Sequence, residues 1–276
     1  MSEITDITEY CRAMVREDDP ERYYVSLFAP AAKQPHLWAL LAFNQEVAKT
    51  RESVSEPMIG EIRLQWWREA LAGISAGTPR EHPVVQGLQA IPAFARIRPL
   101  LDTVIDGRAQ DLEMEAETGF STLEQYADMV GGALHEAAAL VLAESLSDHD
   151  RSLVRSSGKA WAMLGILRAL PYQIADPKAF SVTGATTQGL AGMSAAELEE
   201  RLKPLLDPTK AHVEREFAEA SRKADNRAVK PLLAINALTK RHMRALKRAG
   251  GSPFAMPEHE DGNLRKLVAL FAYHLF

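Results

Sequence analysis

Residues 42–56 read Ala42-Phe-Asn-Gln-Glu-Val-Ala-Lys-Thr-Arg-Glu-Ser-Val-Ser-Glu56. The stretch continues an apolar helical run that begins at Leu37, and the pattern predicts one helix from Leu37 to Ser55. A second helix is expected to start at Pro57, since proline suits a first helical turn. Glu46, Lys49, Arg51 and Glu52 crowd mixed charge onto this helix, as the wall of a polar cavity would. Its neighbours extend the same pattern in both directions.

Ala, Leu, Glu and Arg dominate the 276 residues, and these are good helix formers. Alternating Val/Ile/Thr runs bounded by turn dipeptides are scarce, so no strand is expected. Helices are expected over Thr5 to Arg16, Glu21 to Phe28 and Pro99 to Met114. Another runs from a Ser121-Thr122-Leu123-Glu124 cap to about Leu146, and a further one from Arg151 to Gln173. Ser194 caps a helix to Leu206, and Pro208 starts the next, to about Lys223. Helices over Asn226 to Ala249 and Leu264 to Phe276 close the chain. Residues 174–193, rich in proline and glycine, are expected to be irregular. Gly131-Gly132 lie in mid-helix, where each costs about 1 kcal/mol against alanine. Close approach of another helix explains them best. Ten or so helices on short loops, with no shift in composition, imply a single all-α domain over residues 1–276.

The formal charge of −5 gives no electrostatic case for nucleic-acid binding. One cysteine, Cys11, allows no internal disulfide and suits a reducing compartment. Met1 to Asp19 is acidic and lacks the apolar core of a secretory signal. No apolar run approaches the ~20 residues that span a bilayer. A cytoplasmic location is therefore expected. The last helix, Leu264 to Phe276, is apolar over a broad face with Arg265 and Lys266 alongside. It reads as a closing core helix, or as one that docks on a membrane surface or a partner.

The residues offer little familiar chemistry. His135-Glu136 begins like a zinc-protease motif, but position 139 is Ala. A Gly-rich phosphate loop and a Gly-x-Ser-x-Gly elbow are both missing from the sequence. Trp66 and Trp67 are adjacent and cannot share one helical face, so at least one belongs to the core. The polar residues set within apolar helices are Asp106, Arg108, Asp111, Tyr126 and Arg168. Each is a candidate either for a structural ion pair or for a cavity ligand.

Several short motifs, in order, resemble the squalene/phytoene synthase family. Leu40-Leu-Ala-Phe43 stands where the family has Tyr-Ala-Phe-Cys-Arg, and His82-Pro83-Val84 matches a family His-Pro-Val. Ile105-Asp-Gly-Arg-Ala-Gln-Asp-Leu112 is similar to its Ile-x-Gly-x-x-x-Asp-Leu. Leu123 to Tyr126 with Val130-Gly-Gly132 resembles its Leu-x-x-Tyr-Cys-x-x-Val-Ala-Gly. Gly165-Ile-Leu-Arg168 resembles its Asn-Ile-Leu-Arg-Asp. The resemblance runs over roughly residues 22 to 245. It implies an isoprenoid-synthase helical bundle around a central cavity. In the family two Asp-x-x-x-Asp motifs there hold magnesium, which binds two prenyl diphosphates. Magnesium takes carboxylate and phosphate oxygens, and an i, i+4 pair sets two carboxylates on one helix face.

The motif positions of this chain differ. The first falls on Ala48, Lys49 and Glu52, and the second on Ala169 to Gln173, where neither end is an aspartate. The family arginine after Phe-Cys is Gln45, while Arg51, Asp111, Tyr126 and Arg168 remain as candidate cavity or ligand-binding residues. The family's Gly-Arg-x-Tyr-Leu-Pro segment has no counterpart around residues 175–182. Three further stretches resemble the branch that contains the mitochondrial complex I assembly factor 6. They are Ala42-Phe-Asn-Gln-Glu-Val-Ala48 with Ser53-Val-Ser-Glu56, Ile59-Gly-Glu-Ile-Arg-Leu-Gln-Trp-Trp67, and Leu167-Arg-Ala-Leu-Pro-Tyr172. That branch keeps the scaffold and lacks the aspartates. The resemblance implies a non-catalytic protein without cofactor, peripheral to the inner membrane, whose partners are respiratory complex I subunits or assembly factors. Two other readings stand beside it. One is a prenyl transferase with atypical ligands, using magnesium. The other is a protein that holds an isoprenoid or lipid without turnover.

Overall fold

The computed structural model describes residues 3–54, 56–112, 120–175, 190, 192–256 and 263–275. Among the described residues the regular elements are all helical. Helix α1 (Glu3–Asp18) is followed at once by α2 (Pro20–Ser26). Asp19 between them caps α2, its carboxylate accepting from the Arg22 amide at 3.1 Å. Helix α3 (Gln34–Ala48) carries the organising stretch and packs on α1. Then come α4 (Pro57–Ala76), α5 (Pro83–Gln89), α6 (Phe94–Ala109) and α7 (Phe120–Ala127).

Helix α3 stops seven residues short of the expected Ser55. Thr50 and Ser53 explain the early end. The Thr50 amide turns back to the Val47 carbonyl, and the Ser53 hydroxyl donates to the Thr50 carbonyl at 3.0 Å. Hydroxyl side chains that bond nearby backbone in this way compete with helix propagation.

Helix α7 runs through a π-helical turn, Asp128–Gly132, into α8 (Ala133–Leu142). The long α9 (Asp148–Ala175) packs across this turn. Gly131 and Gly158 meet there backbone to backbone, and a Cβ on Gly131 would also stand 2.7 Å from the Cβ of Ala162. The paired glycines thus mark a close helix approach, as the sequence suggests. Arg155 of α9 bridges Asp128 and Glu136 on either side of the turn.

Helix α10 (Ala195–Ala220) is the second departure. It runs on through Pro204 and through Pro208, where the sequence predicts a new helix to start. Each proline removes one backbone donor, at about 3 kcal/mol in a helix interior. Its buried face, Leu198, Leu202, Leu205, Leu206 and Val213, packs along α9 and outweighs that cost. The Thr209 hydroxyl donates to the Leu205 carbonyl at 2.6 Å, beside the gap left by Pro208. Helix α6 likewise begins five residues before Pro99, the expected start. The Ser194 cap is present as a full capping box with Glu197. Short α11 (Lys230–Leu233), then α12 (Ile235–Arg248) and α13 (Asn263–Leu275), complete the order.

The largest core joins α1, α3, α4, α5, α6 and α8 around Leu40, Phe43, Trp67, Leu101 and Leu134. Trp38 and Trp67 are both buried in it, Trp67 edge-on to Phe43 at 5.5 Å, while Trp66 stays at the margin with Arg80 over its ring. A second core unites α7, α9 and α10, and a third joins Val25, Ile235, Leu238 and Leu270 from α2, α12 and α13.

The glycine crossing gives a paired prediction. Gly158→Ala drives a methyl into the Gly131 backbone and is expected to destabilise by about 2–3 kcal/mol in urea unfolding. Gly165→Ala, seven residues along the same helix, meets nothing within 4 Å and is expected to stabilise by about 1 kcal/mol.

Candidate functional site

Of the positions singled out from the sequence, Gln45, Lys49 and Arg168 converge on the start of α2. This segment reads Asp18-Asp19-Pro20-Glu21-Arg22 and was legible only as a helix stop. It joins both former motif helices.

On one side it meets the end of α3. Lys49 pairs with Asp18 at 2.7 Å, and Gln45 donates to Asp19 at 3.3 Å. Asp19 also pairs with Arg22 at 2.9 Å. Ala48 is half-buried as the last residue of α3. Glu52 lies beyond the helix, in a turn, exposed to solvent. The i, i+4 geometry needed for two ligands on one helix face is therefore not available at Ala48 and Glu52.

On the other side α2 meets α9, α12 and α13 through Glu21, which is buried. Its carboxylate accepts from Lys266 of α13 at 2.8 Å and from His242 Nε2 of α12 at 2.9 Å. Arg168 of α9 stands 3.6 Å away. Acceptance by Glu21 places the His242 proton on Nε2, so the 3.2 Å approach of Arg168 to that nitrogen is contact and not a second hydrogen bond. Burial alone raises the Glu21 carboxyl. The His242 hydrogen bond, Lys266 and the Arg168 charge outweigh it and hold the group at about 2. Trp161 closes over the His242 ring at 5.7 Å.

Beyond Arg168, Ala169 is half-buried, and Gln173 lies one turn on with its side-chain carbonyl lacking a donor among the described residues. The motif positions together supply one carboxylate, Glu52, at the surface near a lysine. That donor set does not fit a magnesium–diphosphate site, which needs several converging anionic oxygens.

Asp111 and Tyr126 do come together, through Arg108, which the sequence marks only as a polar insertion. Arg108 donates to the Tyr126 hydroxyl at 2.6 Å and stands 3.4 Å from Asp111. The guanidinium lies 5.7 Å from the Tyr126 ring centre. Burial raises the Asp111 carboxyl, and Arg108, Tyr126 and Arg51 oppose the rise. Burial raises the Tyr126 phenol as well. The Arg51 charge therefore also acts on this cluster. With Asp111 paired to a cation and Tyr126 protonated, the cluster locks α6 against α7.

Among the described residues one group of three potential metal ligands converges, Glu124, His212 and Glu216, away from the motif positions. Cations already serve it: Lys159 pairs with Glu216 at 3.0 Å, and Arg215 lies against His212 and 3.7 Å from Glu124. His135, the start of the imagined zinc motif, is buried in the core, and burial first, then Arg22, lowers its imidazole to about 3.

Arg108 is among the polar residues that the sequence marks, and those it does not mark as site residues are Asp18, Asp19, Glu21, His242 and Lys266. Three acids and an arginine around one proline were the available signal for the first three. His242 and Lys266 carried none, because their partner lies more than two hundred positions away.

Comparison with known proteins places these observations. The family model for squalene/phytoene synthase matches residues 15–267. A mouse protein named NADH dehydrogenase (ubiquinone) complex I, assembly factor 6 is 34% identical over 174 residues, 62% of this chain and 51% of its own length. The chain thus aligns with about half of that relative. A solved dehydrosqualene synthase superposes with a TM-score of 0.77 at 17% identity, covering 99% of this chain and 97% of its own. The squalene synthase HpnC from Alicyclobacillus acidocaldarius gives 0.70 at 16% identity over 91% of this chain and 97% of its own. At those identities the likeness is one of fold, the isoprenoid-synthase helical bundle. The family match covers nearly the whole sequence, and the chain belongs to the squalene/phytoene synthase family.

Proposed function

We propose that this chain is a non-catalytic member of its family, acting as one unit over residues 1–276. It assists assembly of the respiratory NADH dehydrogenase, complex I, at the inner membrane. Its direct partners are complex I subunits or other assembly factors. It needs no magnesium. The mouse relative's name supplies the partner class. One observation carries the loss of catalysis: the side chains at both motif helices are engaged in protein ion pairs. Lys49 pairs with Asp18, and Arg168 lies beside Glu21 with Lys266 and His242. Moving a diphosphate with its metals into such a site would require breaking partly buried pairs, and removal of one partner from a buried pair costs about 3–5 kcal/mol.

Purified protein incubated with farnesyl or geranylgeranyl diphosphate and magnesium is expected to release no diphosphate above the buffer control. Release at enzyme-like rates overturns the non-catalytic reading. Deleting the gene in its host is expected to lower assembled NADH dehydrogenase on native gels. The wild type and Glu52→Ala should restore it equally. An unchanged complex I level in the deletion strain overturns the assembly reading.

The Glu21 network gives a pH prediction. The folded carboxyl titrates near 2, below its ordinary 4.5. Its contribution is therefore present above about pH 4.5 and is lost as the pH falls towards 2. Glu21→Gln is expected to cost roughly 3 kcal/mol in urea unfolding at neutral pH. It should also flatten the acid limb of the stability profile.

A further inference from the structure

The outer face of α13 is largely open among the described residues. Leu264, Val268 and Phe271, spaced i, i+4 and i+7, are 74%, 60% and 57% exposed. The spacing puts all three on one stripe of the helix. The opposite face is engaged in the fold, with Leu270 fully buried and Lys266 held by Glu21. The helix is therefore fixed in place with its apolar stripe turned outward. Phe28 packs edge-on against Phe271 at 5.1 Å and stiffens one end of the stripe.

Beside the stripe lies a cationic cleft of about 640 Å³. Its described lining is Arg241, Arg244, Lys247 and Arg248 of α12 and Arg265 of α13. Arg265, which lines the cleft, lies on α13 about a quarter turn round from the stripe. Arg244, Lys247 and Arg248 are exposed, and among the described residues no ion pair engages them. Arg244 and Lys247 also rim a neighbouring groove of about 540 Å³, floored by Leu164, Leu167, Val213 and Met243. In a chain of net charge −5 this concentration of cations is local and one-sided.

We propose that the α12–α13 face docks on an anionic lipid bilayer. Leu264, Val268 and Phe271 enter the interface, and Arg244, Lys247 and Arg248 meet lipid phosphates. An apolar stripe bordered by cations is what such a surface requires. Juxtamembrane cations are drawn to anionic leaflets within a Debye length. The apolar stripe and the exposed cations stand on two helices packed together, α13 and α12, and a flat anionic surface meets both at once. The inference rests on the membrane-surface part of the proposed function and not on its complex I part.

Vesicle co-sedimentation with the purified chain tests it. Vesicles of phosphatidylcholine with phosphatidylglycerol are expected to bind about tenfold more protein than phosphatidylcholine alone, with the excess lost at high salt. Arg244→Glu with Lys247→Glu should abolish the excess. Leu264→Ser with Val268→Ser should lower binding to anionic vesicles severalfold, and Met58→Ser, on a separate exposed site of α4, should leave it unchanged. The substituted side chains are exposed, and a circular-dichroism melt identifies any variant that fails to fold. Arg248→Glu then replaces it. Equal binding to both vesicles, no binding, or charge-reversed protein that binds as wild type overturns the proposal. So does a dimer in sedimentation equilibrium that Leu264→Ser with Val268→Ser dissociates, because a second copy then covers the stripe. Complex I assembly has no bearing on these readouts, so the two proposals fail separately.

Discussion

The carboxylate of Glu21 is the point on which this bundle turns. A buried anion is stable only with compensating charge and hydrogen bonds. Glu21 finds them on three separate helices, in Arg168, His242 and Lys266. Those partners fix where α9, α12 and α13 stand relative to α2. Because Asp19 caps the same short helix and holds Gln45, the position of α3 follows too. Ionic contacts of this sort add little net stability over a well-packed apolar core, but they tolerate few alternatives. They act here as registers between helices whose apolar faces would otherwise slide.

The helical class and most helix positions were readable because apolar periodicity is a local property. The Ser194 capping box and the glycine crossing were readable for the same reason: each has a short-range chemical cause. What failed were the boundaries set by competition. The end of α3 depends on whether Thr50 and Ser53 bond to solvent or to the backbone, and composition does not decide that. The continuity of α10 through Pro204 and Pro208 depends on burial against α9, a partner that local propensity cannot see.

The site was legible in part and for a different reason. Arg168, Asp111 and Tyr126 stood out as polar residues in apolar helices and Gln45 as the place of a family arginine, and each has a polar partner in the fold. They do not share one pocket wall. Gln45 and Arg168 meet α2 from opposite sides, while Asp111 and Tyr126 form their own cluster around Arg108, on which the Arg51 charge also acts. Sequence spacing marks such residues as paired. It does not say with whom, since the partners come from contacts between distant segments. Glu52 shows the reverse error: it kept the right chemistry at the right spacing, and the chain leaves the helix before reaching it.

A carboxylate cluster prepared for metal is self-repelling until the metal arrives, and part of its folding free energy then comes from the bound ligand. The corresponding helix ends here carry opposite charges already matched within the chain: Lys49 on Asp18, Arg22 on Asp19, Lys266 on Glu21. Such an arrangement balances its charges within the chain. A protein that must present a constant surface to a partner or a membrane gains from that balance. An enzyme that binds two charged substrates through metal gains from the opposite. The same exchange explains why charge left unmatched in the interior is scarce while the α12 face keeps Arg244, Lys247 and Arg248 turned outward. Interior cations were needed to neutralise acids. Arg244, Lys247 and Arg248 have no such partner among the described residues and are held at the surface by the helix that carries them.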